Sequence, residues 1–282
     1  MALMTLDLQS RHLRGGTLVD VVLPDLPPGA SPRDFYGSGR RYPVLYLLHG
    51  TFGGHSDWVR RTNIETYATE RDLVVVMPTA HNSNYSDWPS FSLGYDGYGY
   101  LTHELMPLVE NWLPVSTRRE DTFIAGLSMG GRGAVKYAVN FSERFAAAAV
   151  LSAAPVDLAP LTEEQLATST DLMDLRLRGQ AANAGGLDAF RASDENVWAT
   201  IDRLAGTGTL PRLLFTIGSD DPLEPRWAAF ESHAREIGLD ATFERREGYS
   251  HEWRFWDLAV ERALDFFGVE PTGTFAPTGP RR

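Results

Sequence analysis

The chain predicts an α/β fold: a mainly parallel central sheet with helices on both faces and a small helical insertion over one edge. Three observations predict it. Five short runs are apolar without alternation, as strands buried on both faces are. Helical segments separate them, and strands alternating with helices give a covered parallel sheet. One of the runs closes on Gly126-Leu127-Ser128-Met129-Gly130, a serine between two glycines where strand becomes helix.

The elements follow in order. TLDLQSRHL and GTLVDVVLP alternate loosely on either side of Gly15 and Gly16, which predicts a pair of strands at a sheet edge. Val44 to Leu48 is continuously apolar and runs into Gly50, as a buried central strand would. DLVVVMP, TFIAG, FAAAAVLSA and PRLLFTIG repeat that pattern, and segments such as YLTHELMPLVENWL and GRGAVKYAVNF supply the helices. Two stretches interrupt the alternation. Thr79 to Tyr100 is rich in Asn, Ser, Gly and aromatic residues and leaves the end of a central strand, where binding residues gather. The segment of about 154–206 looks helical with a break at Gly185 and Gly186, and it is expected to cover the sheet's carboxyl edge as a lid. At 282 residues one domain over 1–268 is expected, because α/β folds often reach this size undivided. The Pro/Gly/Thr-rich tail 269–282 is expected to be disordered.

A 43% hydrophobic and 22% charged composition is that of a globular protein. The net charge of -11 argues against nucleic acid, anionic membrane surfaces and polyanionic substrates as partners. The absence of cysteine removes disulfides, thiolate nucleophiles and thiolate metal sites. No basic n-region followed by an apolar stretch opens the chain and no run is long enough to span a bilayer, so neither a signal peptide nor a membrane span is expected. The cytoplasm is the expected compartment unless a leader has been removed. Homo-oligomers stay open.

Glycine in a helix costs about 1 kcal/mol relative to alanine, yet two open the helix after Ser128. They serve chemistry instead. A G-x-S-x-G between strand and helix is the context of a nucleophile elbow, which strains a serine at the tip of a tight turn above a helix N-terminus. Such a serine needs a base and the base an orienting carboxylate. Downstream only His233 and His251 remain. His233 lies in the helical PRWAAFESHAREIGL, on what reads as a solvated face, whereas His251 sits in a loop and opens EWRFWDLAVERAL, so His251 is the base. The carboxylate is Asp220 or Asp221, directly after Ile217-Gly218; one is expected to orient His251 and the other to cap the next helix, with Pro222 at its first position. Spacing does not separate them. LLHGTFGGHSDW ends a buried strand in a glycine-bearing loop, which places the Thr51 amide with that of Met129 as the donors for an oxyanion. His49 reads as structural, and His49, His55 and His81 lack the spacing of metal ligands.

Four segments, LYLLHGTFGGHSDW, FIAGLSMGGRGAVKYAV, IGSDDPL and GYSHEWRFW, together resemble the putative-esterase (esterase D) family of α/β-hydrolases, from about Leu6 to Phe267. Tributyrin, acetyl and feruloyl esterases, S-formylglutathione hydrolases and mycolyltransferases belong to that family. The resemblance implies the α/β-hydrolase fold, selects Asp221 through a G-x-x-D pattern from Gly218, and again puts the oxyanion hole at Thr51 and Met129. NYSDWP, Asn84 to Pro89, is most similar to the tributyrin and feruloyl branch.

The reading is a serine carboxylesterase acting on small-molecule short acyl or aryl esters through Ser128, His251 and Asp221, without cofactor or metal. An acyltransferase or an S-formylglutathione-type thioester hydrolase on the same fold is the alternative. Phe52, Trp58, Tyr85, Trp88 and Trp253 are expected near the cleft, with about half of them in the core instead.

Overall fold

The computed structural model describes residues 2–273 and 275–277. Strands β1 (Ala2–Ser10) and β2 (Gly15–Leu23) are antiparallel, in register from Ala2 opposite Leu23 to Ser10 opposite Gly15. Then come β3 (Val44–Leu48), β4 (Val74–Pro78) and a short hairpin of β5 (Asp87–Trp88) and β6 (Tyr95–Asp96). The remaining strands are β7 (Thr122–Leu127), β8 (Ala147–Leu151), β9 (Arg212–Gly218) and β10 (Ala241–Arg246). Among the described residues the main sheet has 8 strands in the order β1-β2-β4-β3-β7-β8-β9-β10. β2 meets β4 antiparallel, and from β4 to β10 every pairing is parallel.

Burial on both faces explains the apolar runs. Every residue of β3 is buried, and because side chains alternate across a strand, Val44, Tyr46 and Leu48 enter one core while Leu45 and Leu47 enter the other. Helices Met129–Asn140 and Glu224–Glu236 close the first core with Val135, Trp227 and Phe230. Helices Ile64–Glu70 and Trp253–Phe267 close the second with Ala68, Phe255, Val260 and Leu264. Each fully buried large apolar side chain contributes about 1.5–3 kcal/mol. Parallel strands end together, so the segments that leave β3, β7 and β9 gather at one edge. His49 to Thr51, Ser128 and Asp221 all lie in those segments.

The insertion forms helices Glu163–Thr168, Leu172–Ala184, Leu187–Arg191 and Val197–Leu204, broken by Gly185 and Gly186 at φ 94 and 123, where a side chain would be strained. It has its own small core of Leu158, Leu166, Leu177, Leu187 and Phe190. Lys136 fastens it to the sheet layer, donating to Glu195 at 3.0 Å and to the Tyr85 carbonyl at 2.5 Å. Gln180 adds a bond to Ser86 Oγ at 2.8 Å.

Two details differ from the expectation. The helix of YLTHELMPLVENWL opens with a wide π-helical turn, Tyr100–Leu105, before the α-helix Met106–Trp112, which carries Pro107 in its first turn. Proline lacks the N–H that a preceding α-turn would use. In the tail, Val269 is buried, its carbonyl accepts from Arg71 Nε at 2.9 Å, and Gly273 N donates to the Glu70 carbonyl at 2.8 Å. Those bonds order the start of the segment; residues 274 and 278–282 lie outside the described residues.

Candidate active site

Ser128 sits between β7 and helix Met129–Asn140 at φ 53 and ψ -116, a conformation costly for a residue with a Cβ. Three glycines make room for it. A Cβ on Gly126 would lie 2.4 Å from the Gly130 carbonyl carbon, one on Gly130 would lie 2.5 Å from the Leu48 oxygen, and one on Gly131 would meet Ala153 Cβ at 3.0 Å. Helix, turn and β3 therefore approach more closely than side chains permit. That close approach is what the helix-weakening glycines provide.

His251 Nε2 stands 3.0 Å from Ser128 Oγ, and His251 Nδ1 stands 2.8 Å from Asp221 Oδ2. The Asp221 side chain is fully buried and its second oxygen accepts from Leu223 N at 2.9 Å, so the carboxylate is held on both oxygens. Trp256 meets the imidazole edge to face at 4.9 Å and donates from Nε1 to Ser152 Oγ, which fixes the ring beside the histidine. Asp220 lies outside this chain of bonds: its side chain accepts from Ser219 Oγ at 3.1 Å and is exposed. It does not cap a helix either. The helix starts at Glu224 with Leu223 as its cap residue, and Pro225, not Pro222, occupies its first turn. Asp221 spends its spare oxygen on the intervening turn, which postpones the helix.

The Thr51 segment packs over the elbow, where a Cβ on Gly50 would lie 2.4 Å from Leu127 Cδ1 and 3.5 Å from Ser128 Cβ. Among the described residues neither the Thr51 nor the Met129 amide donates to another protein group. His49 is buried beneath, taking Ala80 N–H on Nε2 at 2.9 Å and donating Nδ1–H to the Gly50 carbonyl at 2.6 Å. Burial depresses its pKa, so it stays neutral. His233 is less solvated than its helix suggested, since it stacks on Trp198 and bonds Asp202 at 2.5 Å. Among the described residues no group of three or more His, Cys, Asp or Glu could hold a metal.

The aromatic residues divide. Phe52, exposed, and Trp253 line a cleft of about 610 Å³ with Ser128 and His251. Trp58 does not: it is fully buried and donates to the Leu48 carbonyl at 3.2 Å, holding the end of β3. Tyr85 is also core, with its hydroxyl on the His49 carbonyl at 3.0 Å. Trp88 faces another cavity, together with His81 and Phe91, and donates to the Ser83 carbonyl at 2.7 Å. All three are corrections to the expected lining, and each has the same cause: a polar ring or hydroxyl atom that a backbone carbonyl satisfies inside the fold. The insertion, by contrast, supplies cleft residues that sequence reasoning missed, Asp171, Met173 and Arg176 among them. Their contribution depends on how helix Leu172–Ala184 is docked, for which the local sequence carried no signal.

This sheet order, with a strained serine on the strand-to-helix turn, is that of an α/β-hydrolase, and the chain is a serine carboxylic ester hydrolase. It belongs to the Putative esterase family, whose model matches residues 30–267. An acetyl esterase of Caldicellulosiruptor saccharolyticus is 27% identical over 270 residues, covering 94% of this chain and 98% of that one. The solved structure of FphF, a fluorophosphonate-binding serine hydrolase of Staphylococcus aureus, is similar with a TM-score of 0.77 and 28% identity over 95% of this chain and 98% of that one. An S-formylglutathione hydrolase of the same organism, FrmB, gives 0.76 and 27%, over 95% and 99%. No helix among the described residues is long and apolar enough to cross a membrane.

Proposed function

We propose that Ser128, His251 and Asp221 are the catalytic triad of a carboxylesterase for short acyl or aryl esters, with the Thr51 and Met129 amides as its oxyanion hole. The observation that carries this reading is the unbroken line of contacts from Asp221 Oδ2 through the imidazole to Ser128 Oγ, at 2.8 and 3.0 Å. Ser128 Oγ attacks the ester carbonyl as its proton passes to His251 Nε2. The two amides hold the carbonyl oxygen while it is negative. Collapse breaks the bond to the alkoxy oxygen, which leaves as the alcohol with the proton from Nε2. Water then adds to the acyl-serine, again losing its proton to Nε2, and the acid departs as Ser128 recovers its hydrogen. Asp221 accepts from Nδ1 throughout, which fixes the tautomer with hydrogen on Nδ1.

A panel of p-nitrophenyl esters of increasing acyl length tests the reading: turnover is expected to be greatest for short chains and to vanish in Ser128→Ala. Turnover that rises steadily with chain length would overturn the short-acyl assignment. The similarity to an S-formylglutathione hydrolase favours a second reading, hydrolysis of a thioester by the same three residues. Comparing a glutathione thioester with an oxygen ester of the same acyl group separates the two. In either case the insertion acts as one wall of the cleft, and its bonds through Lys136 and Gln180 argue for a fixed wall over a swinging lid.

A further inference from the structure

Arg132, Arg176 and Arg226 converge on a pocket of about 30 Å³ beside Ser128, whose other walls are apolar and include Val156, Met173 and Leu223. They come from three separate elements: the helix after the nucleophile, the insertion helix Leu172–Ala184 and helix Glu224–Glu236. Gathering like charges in a partly buried place is unfavourable unless something answers them. Within the chain little does. Arg132 donates to Asn84 Oδ1 at 2.7 Å and to Met173 Sδ, and Arg176 donates to Thr51 Oγ1, all neutral acceptors. Arg226 alone approaches carboxylates, Asp171 at 3.6 Å and Asp174 at 3.9 Å. Glu195 acts on Arg132 from farther off, but Lys136 already binds it at 3.0 Å. Asp57, in the adjoining cleft, faces Arg61 at 3.5 Å. Burial, then Arg176 and Arg226, bring the Arg132 pKa down to about 9, so it is still a cation at neutral pH.

Position beside the serine says which part of a substrate reaches these cations. The leaving oxygen takes its proton from His251, which lines the larger cleft with Phe52 and Trp253 but not the small pocket. Arg176 and Arg226 border both the cleft and the small pocket, whereas Arg132 borders only the pocket. With the alcohol beside His251 in the cleft, it is the tip of a short acyl chain that reaches Arg132. A planar carboxylate is a small anion that guanidinium forks bind in two-toothed fashion. Resting on the triad proposed above, we propose that this enzyme selects esters whose short acyl chain ends in a carboxylate, half-esters of dicarboxylic acids, and that Arg132 and Arg176 recognise that carboxylate. The overall charge of -11 repels anions at long range, so recognition here is a contact effect and not steering.

Monoethyl succinate and ethyl butyrate differ only in a carboxylate replacing the terminal methyl, and both release ethanol. For the intact enzyme, kcat/KM is expected to favour the half-ester by about tenfold or more, the range of a charged hydrogen bond. That ratio should fall by roughly tenfold in Arg176→Met and in Arg132→Met, whatever change the two esters share. Succinate should likewise inhibit the intact enzyme at lower concentration than butyrate, a comparison that needs no variant to fold. Equal or faster turnover of ethyl butyrate, or a ratio unmoved in Arg176→Met, overturns the inference and leaves the triad standing. If neither ester yields ethanol and a fluorophosphonate fails to label Ser128, the triad itself is wrong and the inference falls with it.

Discussion

Replacing Asp221 by Asn changes one atom and should stop the enzyme. Asp221 is buried with both oxygens engaged, Oδ2 with His251 Nδ1 at 2.8 Å and Oδ1 with Leu223 N at 2.9 Å. A carboxamide cannot satisfy both, because each partner presents a hydrogen. With its NH₂ toward the imidazole, Nδ1 must give up its proton and Nε2 must carry it, which leaves no base facing Ser128. With the amide turned over, the NH₂ opposes the Leu223 N–H, and a buried donor is unpaired at about 1–3 kcal/mol. Where the wrong tautomer has been imposed in other triads turnover drops by about 10⁴, equivalent to roughly 5.4 kcal/mol of barrier. Asp220→Asn is the internal control: its side chain is exposed and meets only Ser219, so turnover should change less than about twofold and stability by less than ~0.5 kcal/mol. The assay is turnover of one short p-nitrophenyl ester by both purified variants, with folding checked by circular dichroism. An inactive Asp220→Asn beside an active Asp221→Asn would refute the assignment.

Three more outcomes are expected. Gly130→Ala forces a methyl to 2.5 Å from the Leu48 oxygen and 2.6 Å from the His49 oxygen, so the urea midpoint should fall by an amount equivalent to about 1–3 kcal/mol and turnover should fall with it. Lys136→Met leaves the half-buried Glu195 with only the neutral donors Ser86 Oγ and Gln180 Nε2 and should cost about 1–3 kcal/mol, read as a lowered Tm. Stability should drop as pH falls below about 6.5, because burial depresses the pKa of His49 in the folded chain and the unfolded imidazole takes up the proton first. The sign follows from the unfolded state binding more protons; a His49→Gln variant whose urea midpoint between pH 7 and pH 5 keeps the full slope would contradict it.

The sequence made legible whatever depends on local pattern or on forced spacing. Val44 to Leu48 shows two-faced burial in five letters, and the glycines around Ser128 signal close backbone approach because nothing else justifies them in a first helical turn. Asp220 and Asp221 were inseparable by spacing, since the choice turns on which side chain points inward from β9, and only the family pattern leaned toward Asp221. Trp58 and Tyr85 looked like cleft residues because composition cannot tell a ring facing substrate from one whose polar atom finds a carbonyl in the core. Arg132, Arg176 and Arg226 carried no signal at all: they are distant in sequence and meet only after the insertion docks on the sheet edge.

The measurement that bears most directly on the account is covalent labelling of the intact chain by a fluorophosphonate, followed by peptide mapping and by turnover of a short p-nitrophenyl ester. One adduct is expected, on Ser128, with loss of turnover in proportion to labelling and neither label nor turnover in Ser128→Ala. An adduct on another serine, or a Ser128→Ala protein that still hydrolyses the ester at an undiminished rate, would contradict it.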